Sequence, residues 1–171
     1  QILTLARLEE GRDVREGAPV AMDRLVGEVA KDARFEAQAL DVGVETPRLD
    51  SAVVIGEAEL LRSAVENVVR NAVRYSPRGG VVSVSVERGG DGPQKRVAVV
   101  VEDQGRGIPE NQMDHLFRPF YRVEDARDRK TGGTGLGLAI AERAVRLHGG
   151  RIYAENRREG GLRVLIDLPG A

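Results

Sequence analysis

Four glycines lie within residues 130–140, where a charged stretch gives way to an apolar one. The segment reads Lys-Thr-Gly-Gly-Thr-Gly-Leu-Gly-Leu-Ala-Ile, so the glycines come immediately before a predicted apolar helix. A backbone without Cβ atoms can approach a phosphate closely, and the N–H groups and positive dipole end of the following helix favour an anion. A glycine-rich turn is also an ordinary way to begin a helix, so this cluster alone leaves both interpretations open.

Two segments upstream are also suited to binding a nucleotide. Residues 103–108, Asp-Gln-Gly-Arg-Gly-Ile, follow a run of valines, and residues 66–76 end a stretch with helical spacing of apolar residues. Three segments suited to a nucleotide, in one chain, favour a nucleotide site over three unrelated turns.

The composition narrows the class of protein. A length of 171 residues suits one domain, and 26 basic against 27 acidic residues give a net charge of −1, which provides no global field for nucleic acid or membrane. The absence of cysteine excludes disulfides and thiolate metal sites and fits a reducing compartment. No apolar run approaches the roughly 18 residues of a membrane span. Because the first residue is glutamine, we expect the sequence to be part of a longer protein.

Hydrophobic periodicity predicts a chain of helices and strands. The predicted helices cover residues 1–10, 23–40, 57–75, 110–116 and 136–148, and the predicted strands cover residues 44–46, 52–55, 82–87, 96–102, 151–155 and 162–168. Asp23 is a candidate N-cap, residues 12–21 are predicted to be a linker, and the run at 97–101 predicts a central strand covered on both faces. Long helices over one face of these strands predict a two-layer α/β sandwich.

Two asparagines stand four residues apart on the predicted helix 57–75. The amides of Asn67 and Asn71 therefore project from one face, where their oxygens can help hold Mg²⁺ together with water and phosphate. Arg74 can reach the same face and supply charge to a phosphate, and Tyr75 is placed to cover a flat base. Taken alone, the two asparagines are better explained as ordinary polar positions of an amphipathic helix.

Asp103 leaves a predicted buried strand just before Gly105 and Gly107. A carboxylate at that depth needs a hydrogen-bond donor, and the exocyclic amine of adenine is a suitable one. The alternative is an aspartate at a strand end whose side chain forms an Asx-turn.

Four segments resemble, in this order, the N, G1, F and G2 boxes of sensor histidine kinases: residues 67–71, 103–107, 117–120 and 133–137. Those kinases belong to the superfamily that includes DNA gyrase, Hsp90 and MutL. The resemblance covers nearly all of residues 23–169 and implies the Bergerat α/β sandwich, a mixed sheet with helices on one face. It also implies ATP between the two longer helices and a mobile lid over about residues 121–134.

The resemblance assigns roles to individual residues. It implies that Asp103 binds adenine and that Asn71 binds Mg²⁺. With the shared helix face taken into account, we expect Asn67 as a second metal ligand and Asn67, Asn71 and Arg74 as the catalytic residues. The nucleotide-binding residues that it implies are Asn71, Arg74, Tyr75, Asp103, Gly105, Gly107, Ile108, Phe120, Arg122, Thr134, Gly135, Leu136, Gly137 and Leu138.

The aromatic residues and the histidines have separate expected roles. Phe117, Phe120 and Tyr121 would anchor the base of the lid or form a small satellite core. Neither His115 nor His148 lies in the context expected of a phosphoacceptor, and both are expected to be structural. His148 ends a predicted helix, where an imidazolium would complement the dipole.

Asn67 separates the branches of the superfamily. Gyrase and Hsp90 carry at this position a glutamate that activates water, whereas an amide cannot act as a general base. Glu66 is turned about 100° away on the helix. The resemblance therefore implies a protein kinase that keeps ATP for transfer to a histidine. An ATPase clamp of the Hsp90 or MutL type and an anti-sigma serine kinase are the alternatives.

The resemblance also predicts a domain plan and partners. Residues 1–12 are similar to the end of the dimerisation and phosphoacceptor helix with its linker, and residues 13–171 to the catalytic domain. Residues 117–129 are especially similar to the Cpx-type envelope-stress sensor kinases. Expected partners are ATP or ADP, the kinase's own dimerisation domain and a response regulator, with no nucleic acid and no direct membrane contact. The expected setting is a monomeric fragment from the cytoplasmic side of a homodimeric inner-membrane receptor.

Overall fold

The computed structural model describes residues 17–89, 95–122 and 134–171, and it forms a two-layer α/β sandwich. The helices are α1 (Met22–Gln38), α2 (Ala58–Tyr75), α3 (Glu110–Met113) and α4 (Gly137–Leu147). The strands are β1 (Ala18–Ala21), β2 (Gly43–Glu45), β3 (Val53–Gly56), β4 (Val81–Gly89), β5 (Arg96–Glu102), β6 (Arg151–Asn156) and β7 (Leu162–Pro169).

Five strands form a mixed sheet in the order β2-β4-β5-β7-β6. The β2–β4 pair is parallel and the other pairs are antiparallel, while β1 and β3 form a separate antiparallel pair. The valines of β4 and β5 that point to one side are buried in the same core as the apolar faces of α1, α2 and α4. The predicted fold class, with helices on one face of the sheet, is confirmed.

The opposite face of the sheet carries a row formed by Ser85, Val100, Leu165 and Tyr153 in successive strands. Tyr153 at the sheet edge is 46% exposed, whereas Val100 on the central strand is 5% exposed. Ion pairs in the adjoining rows, among them Arg96 with Asp167, flank the central positions. The strand at 96–102 is therefore central as predicted, but helices cover it on one face only.

Strand β1 and the start of α1 differ from the expectation. Residues 18–21, predicted as part of a linker, pair with β3 from Ala18 opposite Gly56 to Ala21 opposite Val53. A four-residue strand whose partner lies over thirty residues away leaves no local periodicity. Asp23 is not the N-cap: α1 begins at Met22, and the N–H of Met22 donates to the carbonyl of Ala52 at 2.8 Å.

His148 links the end of α4 to the start of α2, and the prediction of an imidazolium there is wrong. The ring is 7% exposed, its Nδ1 lies 2.7 Å from the carbonyl oxygen of Ala144, and its Nε2 accepts the N–H of Glu57 at 3.0 Å. One ring nitrogen donates and the other accepts, so the imidazole is neutral. Burial lowers the pKa of His148 below its usual range. The neutral ring thus satisfies an N–H that α2 leaves unpaired at its N-terminus.

The lowered pKa of His148 predicts a loss of stability in mild acid. As the pH falls through about 6.5, His148 binds a proton in the unfolded chain but stays neutral in the folded chain. The free energy of unfolding should therefore decrease as the pH falls below that value, by up to about 1.4 kcal/mol per pH unit. Urea unfolding between pH 7.5 and 5.5 measures this slope.

The matched variant is His148→Gln, whose side-chain carbonyl can still accept the N–H of Glu57 but does not titrate. Its unfolding free energy should depend less steeply on pH than that of the parent chain, by the equivalent of one proton. Equal slopes in the two proteins would contradict the assignment.

Candidate functional site

A cavity of about 350 Å³ lies between α2, α4 and the segment that follows β5. Its described lining residues are Asn67, Arg70, Asn71, Arg74, Tyr75, Asp103, Gly105, Arg106, Gly107, Ile108, Leu116, Tyr121, Arg122, Thr134, Gly135, Gly137, Leu138 and Leu162. No residue of α1 is among them. The cavity therefore does not lie between the two longest helices, α1 and α2, where the nucleotide was expected. Helix α1 packs beside α2 and is joined to it by the ion pairs Glu28–Arg62 and Glu36–Arg70.

One face of α2 forms a wall of this cavity. Asn67, Arg70, Asn71 and Arg74 fall at helical spacings of three and four, so they share a face. The opposite face of α2 is buried in the core through its valines, leucine and alanines. Because the apolar face is held against the sheet, the polar face must point to the cavity.

The amide of Asn67 has a defined orientation. Its Nδ2 donates to the carbonyl oxygen of Ser63, one turn earlier, at 2.8 Å. Its Oδ1 points to the start of α4, where a Cβ on Gly137 would lie 3.0 Å from it. The side chain therefore presents an oxygen at the place where α4 offers unpaired N–H groups.

Asp103 is the first residue after β5, and its side chain is 4% exposed. Its Oδ1 accepts the N–H of Gly105 at 2.8 Å and the N–H of Leu162 at 3.0 Å. The first of these bonds is the Asx-turn that the sequence left open, and it coexists with a place in the cavity wall. Since both donors bond Oδ1, Oδ2 is the oxygen left to accept a donor from an occupant.

Opposing influences act on the acidity of Asp103. Burial raises the pKa of its carboxyl group, while the N–H groups of Leu162 and Gly105 and the charge of Arg157 lower it. Burial is the largest of these effects, so the pKa lies above the usual range of an aspartate. A carboxylate in this setting gains from an additional hydrogen-bond donor.

Gly135 shapes the entrance to α4. Its φ of 70° lies in the left-handed region, and a Cβ would lie 2.9 Å from the carbonyl carbon of Phe120 and 2.9 Å from the carbonyl oxygen of Tyr121. The N–H of Phe120 donates to the carbonyl of Gly135 at 2.9 Å. Both the conformation and the close approach require glycine.

The described lining residues carry an excess of positive charge. Arg70, Arg74, Arg106 and Arg122 contribute four cations, and Asp103 is the single acidic residue in that set. Although Arg70 is also paired with Glu36 of α1, the other three cations against one carboxylate in this set suit an anionic occupant.

The cavity wall has two distinct ends along α2. At one end, Tyr75 lies against the segment of Asp103, since a Cβ on Gly105 would be 2.6 Å from the carbonyl oxygen of Tyr75. At the other end, Asn67 faces Gly137 at the start of α4. Eight residues separate Asn67 from Tyr75, which is about 12 Å along the helix. A flat donor-bearing group at the Asp103 end and an anion at the α4 end would fit this wall.

Known proteins share this architecture. A family model described as histidine kinase-, DNA gyrase B-, and HSP90-like ATPase matches residues 56–171. The chain belongs to this family. It is 40% identical over 152 residues to the sensor histidine kinase CpxA of Escherichia coli (strain K12), covering 88% of this chain and 32% of CpxA. It is 33% identical over 169 residues to the sensor-like histidine kinase SenX3 of Mycobacterium tuberculosis (strain ATCC 25618 / H37Rv), covering 99% of this chain and 40% of SenX3.

Solved structures agree with the sequence relatives. The mycobacterial sensor histidine kinase MprB matches with a TM-score of 0.76 and 32% identity, over 90% of this chain and 98% of that one. Full-length ShkA in complex with AMPPNP matches with a TM-score of 0.78 and 26% identity, over 99% of this chain and 34% of that one. The resemblance to sensor histidine kinases is confirmed, and the fold is that of their ATP-binding catalytic domain. The chain spans about a third of the length of CpxA.

Most of the residues singled out by the family resemblance lie around the cavity. Those are Asn67, Asn71, Arg74, Tyr75, Asp103, Gly105, Gly107, Ile108, Arg122, Thr134, Gly135, Gly137 and Leu138. Leu136 and Phe120 do not line it. Leu136 is 1% exposed and packs with Ile140, whereas the ring of Phe120 is 70% exposed and only its backbone contacts Gly135.

Five lining residues were missing from the predicted set: Arg70, Arg106, Leu116, Tyr121 and Leu162. Helical spacing from Asn67 could have revealed Arg70, and the position between two glycines could have revealed Arg106. Leu162 reaches the cavity through backbone pairing with Asp103, a long-range register that no local pattern contains.

The three aromatic residues near the expected lid have different surroundings. Phe117 packs against the main core, and Tyr121 lines the cavity while its hydroxyl donates to Oε1 of Gln112 at 3.0 Å. The rings of Tyr121 and His115 meet edge to face at 5.6 Å. Residues 123–133 of the expected lid and residues 1–12 of the expected dimerisation helix lie outside the described residues.

Two other kinds of feature are absent from the described ranges. No three His, Cys, Asp or Glu side chains there come together as a metal site. None of the helices in those ranges is both long and apolar enough to cross a membrane.

Gly135 gives a direct test of the cavity. Gly135→Ala should weaken the binding of an ATP analogue by about ten- to a hundredfold. The added methyl group forces the start of α4 away from Phe120 and Tyr121, and this displacement costs about 1–3 kcal/mol. Isothermal titration calorimetry measures the affinity.

The matched control is Gly79→Ala. Gly79 has nearly the same φ, 74°, but nothing lies within 4 Å of its added Cβ. This variant should lose about 1 kcal/mol of stability and keep its affinity for the analogue. Equal affinities in the Gly135→Ala and Gly79→Ala proteins would contradict the role of Gly135.

Proposed function

We propose that this chain binds Mg-ATP as the catalytic domain of a sensor histidine kinase and positions the γ-phosphoryl group for transfer to a histidine outside these 171 residues. The observation that carries the proposal is the wall of α2: Tyr75, beside the segment of Asp103, and Asn67, facing the start of α4, lie about 12 Å apart along the helix. ATP has an amine-bearing base and a polyphosphate separated by a comparable length.

Asp103 would select the base. Its Oδ2 would accept the exocyclic amine of adenine, and Ile108, Leu116 and Leu138 would supply apolar surface for the ring. Guanine has a carbonyl oxygen in place of that amine, so two acceptors would face each other. A mismatch of this kind costs about 1–3 kcal/mol.

The residues at the other end fit a hard cation and phosphates. Asn67 has its amide nitrogen engaged by Ser63 and its oxygen available, and Asn71 lies one turn later on the same face. Oxygen ligands with water and phosphate completing the shell are the set that Mg²⁺ prefers. Bound there, Mg²⁺ would neutralise charge on the phosphates. Arg74 and the N–H groups at the start of α4 would hold the phosphate oxygens.

The site contains no general base for hydrolysis among its described lining residues. Asn67 is an amide, and Asp103, the single carboxylate in that set, lies at the base end. Glu66 does not line the cavity and lies 3.9 Å from Arg62. Bound ATP would therefore be kept for an incoming nucleophile. In the proposed step the bond from the γ-phosphorus to the bridging oxygen breaks, a bond to an imidazole nitrogen forms, and ADP leaves.

The two histidines of the chain support an acceptor elsewhere. Both ring nitrogens of His148 are engaged in the core, and the ring of His115 packs against Tyr121. We place the acceptor on a dimerisation domain of a longer homodimeric receptor in the inner membrane, with this domain in the cytoplasm, where ATP is available. A response regulator would receive the phosphoryl group. By itself, the chain would be monomeric.

Asp103→Asn gives a sharp test of base selection. The N–H groups of Gly105 and Leu162 should hold the amide oxygen at the Oδ1 position and so place the NH₂ group at the Oδ2 position. That group opposes the amine of adenine and suits the carbonyl of guanine. The ratio of ATP to GTP affinity, measured by calorimetry, should fall by about ten- to a hundredfold.

Asp167→Asn is the control, because Asp167 lies on β7 and pairs with Arg96 away from the cavity. The ratio of ATP affinity to GTP affinity in this variant should match that of the parent chain. An unchanged ratio in Asp103→Asn would overturn the assignment of adenine to Asp103.

A labelling assay tests the reaction. With γ-labelled ATP the chain alone should remain unlabelled and release little phosphate, and added dimerisation domain should acquire acid-labile label. Transfer should be slow, because separate fragments lack the roughly millimolar effective concentration of a tethered acceptor. Asn71→Ala should abolish this transfer while reducing ADP binding less. Acid-stable label on the chain alone would indicate a serine kinase, and rapid phosphate release an ATPase clamp.

A further inference from the structure

The last residue of β6 and the turn that leads to β7, together residues 156–161, lie against residues 103–108, which form the base end of the cavity. We propose that Asn156 and Arg157 are positioning residues that hold this base-binding segment at its two ends and thereby set its selectivity for adenine. The proposal rests on the proposed function of the site. Neither residue lines the cavity, so each would act through the segment that it holds.

Asn156 holds the C-terminal end of the segment, at Ile108. Its Oδ1 accepts the N–H of Ile108 at 2.8 Å, and its Nδ2 donates to the carbonyl of Ile108 at 2.7 Å. One side chain thus satisfies both backbone groups of Ile108, as a neighbouring strand would. An aspartate lacks the donor, and a glutamine carries its amide one methylene further out.

Gly107 makes this contact possible. Its φ is 72°, and a Cβ there would lie 2.5 Å from Oδ1 of Asn156. The glycine brings the chain close enough for the amide of Asn156 to reach Ile108, whose side chain lines the cavity. The position of that apolar side chain therefore depends on Asn156.

Arg157 holds the N-terminal end of the segment, at Asp103. Its Nη1 donates to the carbonyl oxygen of Asp103 at 2.7 Å, and its Nε lies 3.8 Å from Glu102. Its own N–H donates to the carbonyl of Gly161 at 2.9 Å, which closes the turn. Leu162, just after the turn, exchanges bonds with Asp103: its N–H bonds Oδ1, and its carbonyl accepts the N–H of Asp103. The turn therefore controls where the carboxylate points.

The pattern of contacts argues for positioning. Two residues adjacent in sequence bond residues at opposite ends of one segment, Asp103 and Ile108. Both bonded residues present their side chains to the cavity. A shift of either backbone would move a group that contacts the base, and misplacement of about 1 Å can cost two orders of magnitude in function.

The experiment compares Asn156→Asp and Arg157→Gln with Arg158→Gln. Arg158 is the exposed next residue, so its variant has the same change of charge as Arg157→Gln without the contact to Asp103. Dissociation constants for ATP and for GTP are measured by calorimetry, and melting temperatures are recorded alongside. We expect Asn156→Asp and Arg157→Gln to lower ATP affinity by about tenfold or more and to reduce the ratio of ATP to GTP affinity. Arg158→Gln should leave both quantities unchanged.

Arg157→Lys provides a conservative rescue, because an ammonium can still donate to the carbonyl of Asp103 and should restore part of the ratio. Asn156 is exposed, so Asn156→Asp keeps the test valid if Arg157→Gln fails to fold. A lower melting temperature with an unchanged ATP to GTP ratio in both variants would overturn the proposal, since that result describes a purely structural turn. A parent chain without preference for ATP would overturn the proposed function as well.

Discussion

Burial of one face of α2 against the sheet is the constraint on which the rest of the site depends. Val65, Val68, Val69 and Val73 are at most 6% exposed, and each such burial contributes about 1.5–3 kcal/mol. The helical period then determines the direction of the polar side chains between them. Asn67, Asn71 and Arg74 must project towards α4 because the valines cannot leave the core. Fold stability and the geometry of the site thus depend on the same eighteen-residue helix.

The parts of the structure that follow from local patterns could be predicted from the sequence, and those that follow from long-range pairing could not. The helical spacing of Asn67 and Asn71 identified the wall of the cavity, and the aspartate after a valine run identified its base end. Leu162, by contrast, enters the site through a backbone pairing with Asp103 across nearly sixty residues. The protonation of His148 was mispredicted for a related reason: its ring is buried by tertiary packing, and the N–H that it accepts belongs to Glu57, ninety-one residues away at the start of α2. Phe120 shows a second limit, because neither its φ of 62° nor its exposed side chain is expected of a phenylalanine from its residue type.

Asp103 illustrates how one group can serve fold and ligand together. The Asx-turn to Gly105 and the bond from Leu162 both use Oδ1, and they determine which oxygen remains for an occupant. The same donors oppose the effect of burial on the pKa of the carboxyl group, so they favour the charged acceptor that recognition of an amine requires. Structural and functional interpretations of this residue are therefore complementary.

The amide of Asn67 connects this architecture to the proposed chemistry. Because Nδ2 is bonded to the preceding turn of α2, the side chain can act through its oxygen alone, and an amide oxygen can bind a cation but cannot remove a proton from water. The described cavity wall offers no second carboxylate near that position, and His148 has both ring nitrogens occupied in the core. Such a site would retain ATP intact until an acceptor arrives from outside. In the proposed kinase, the timing of phosphoryl transfer would then be set by the approach of another domain, since the described cavity wall would hold the reactive phosphate and supplies no nucleophile for it.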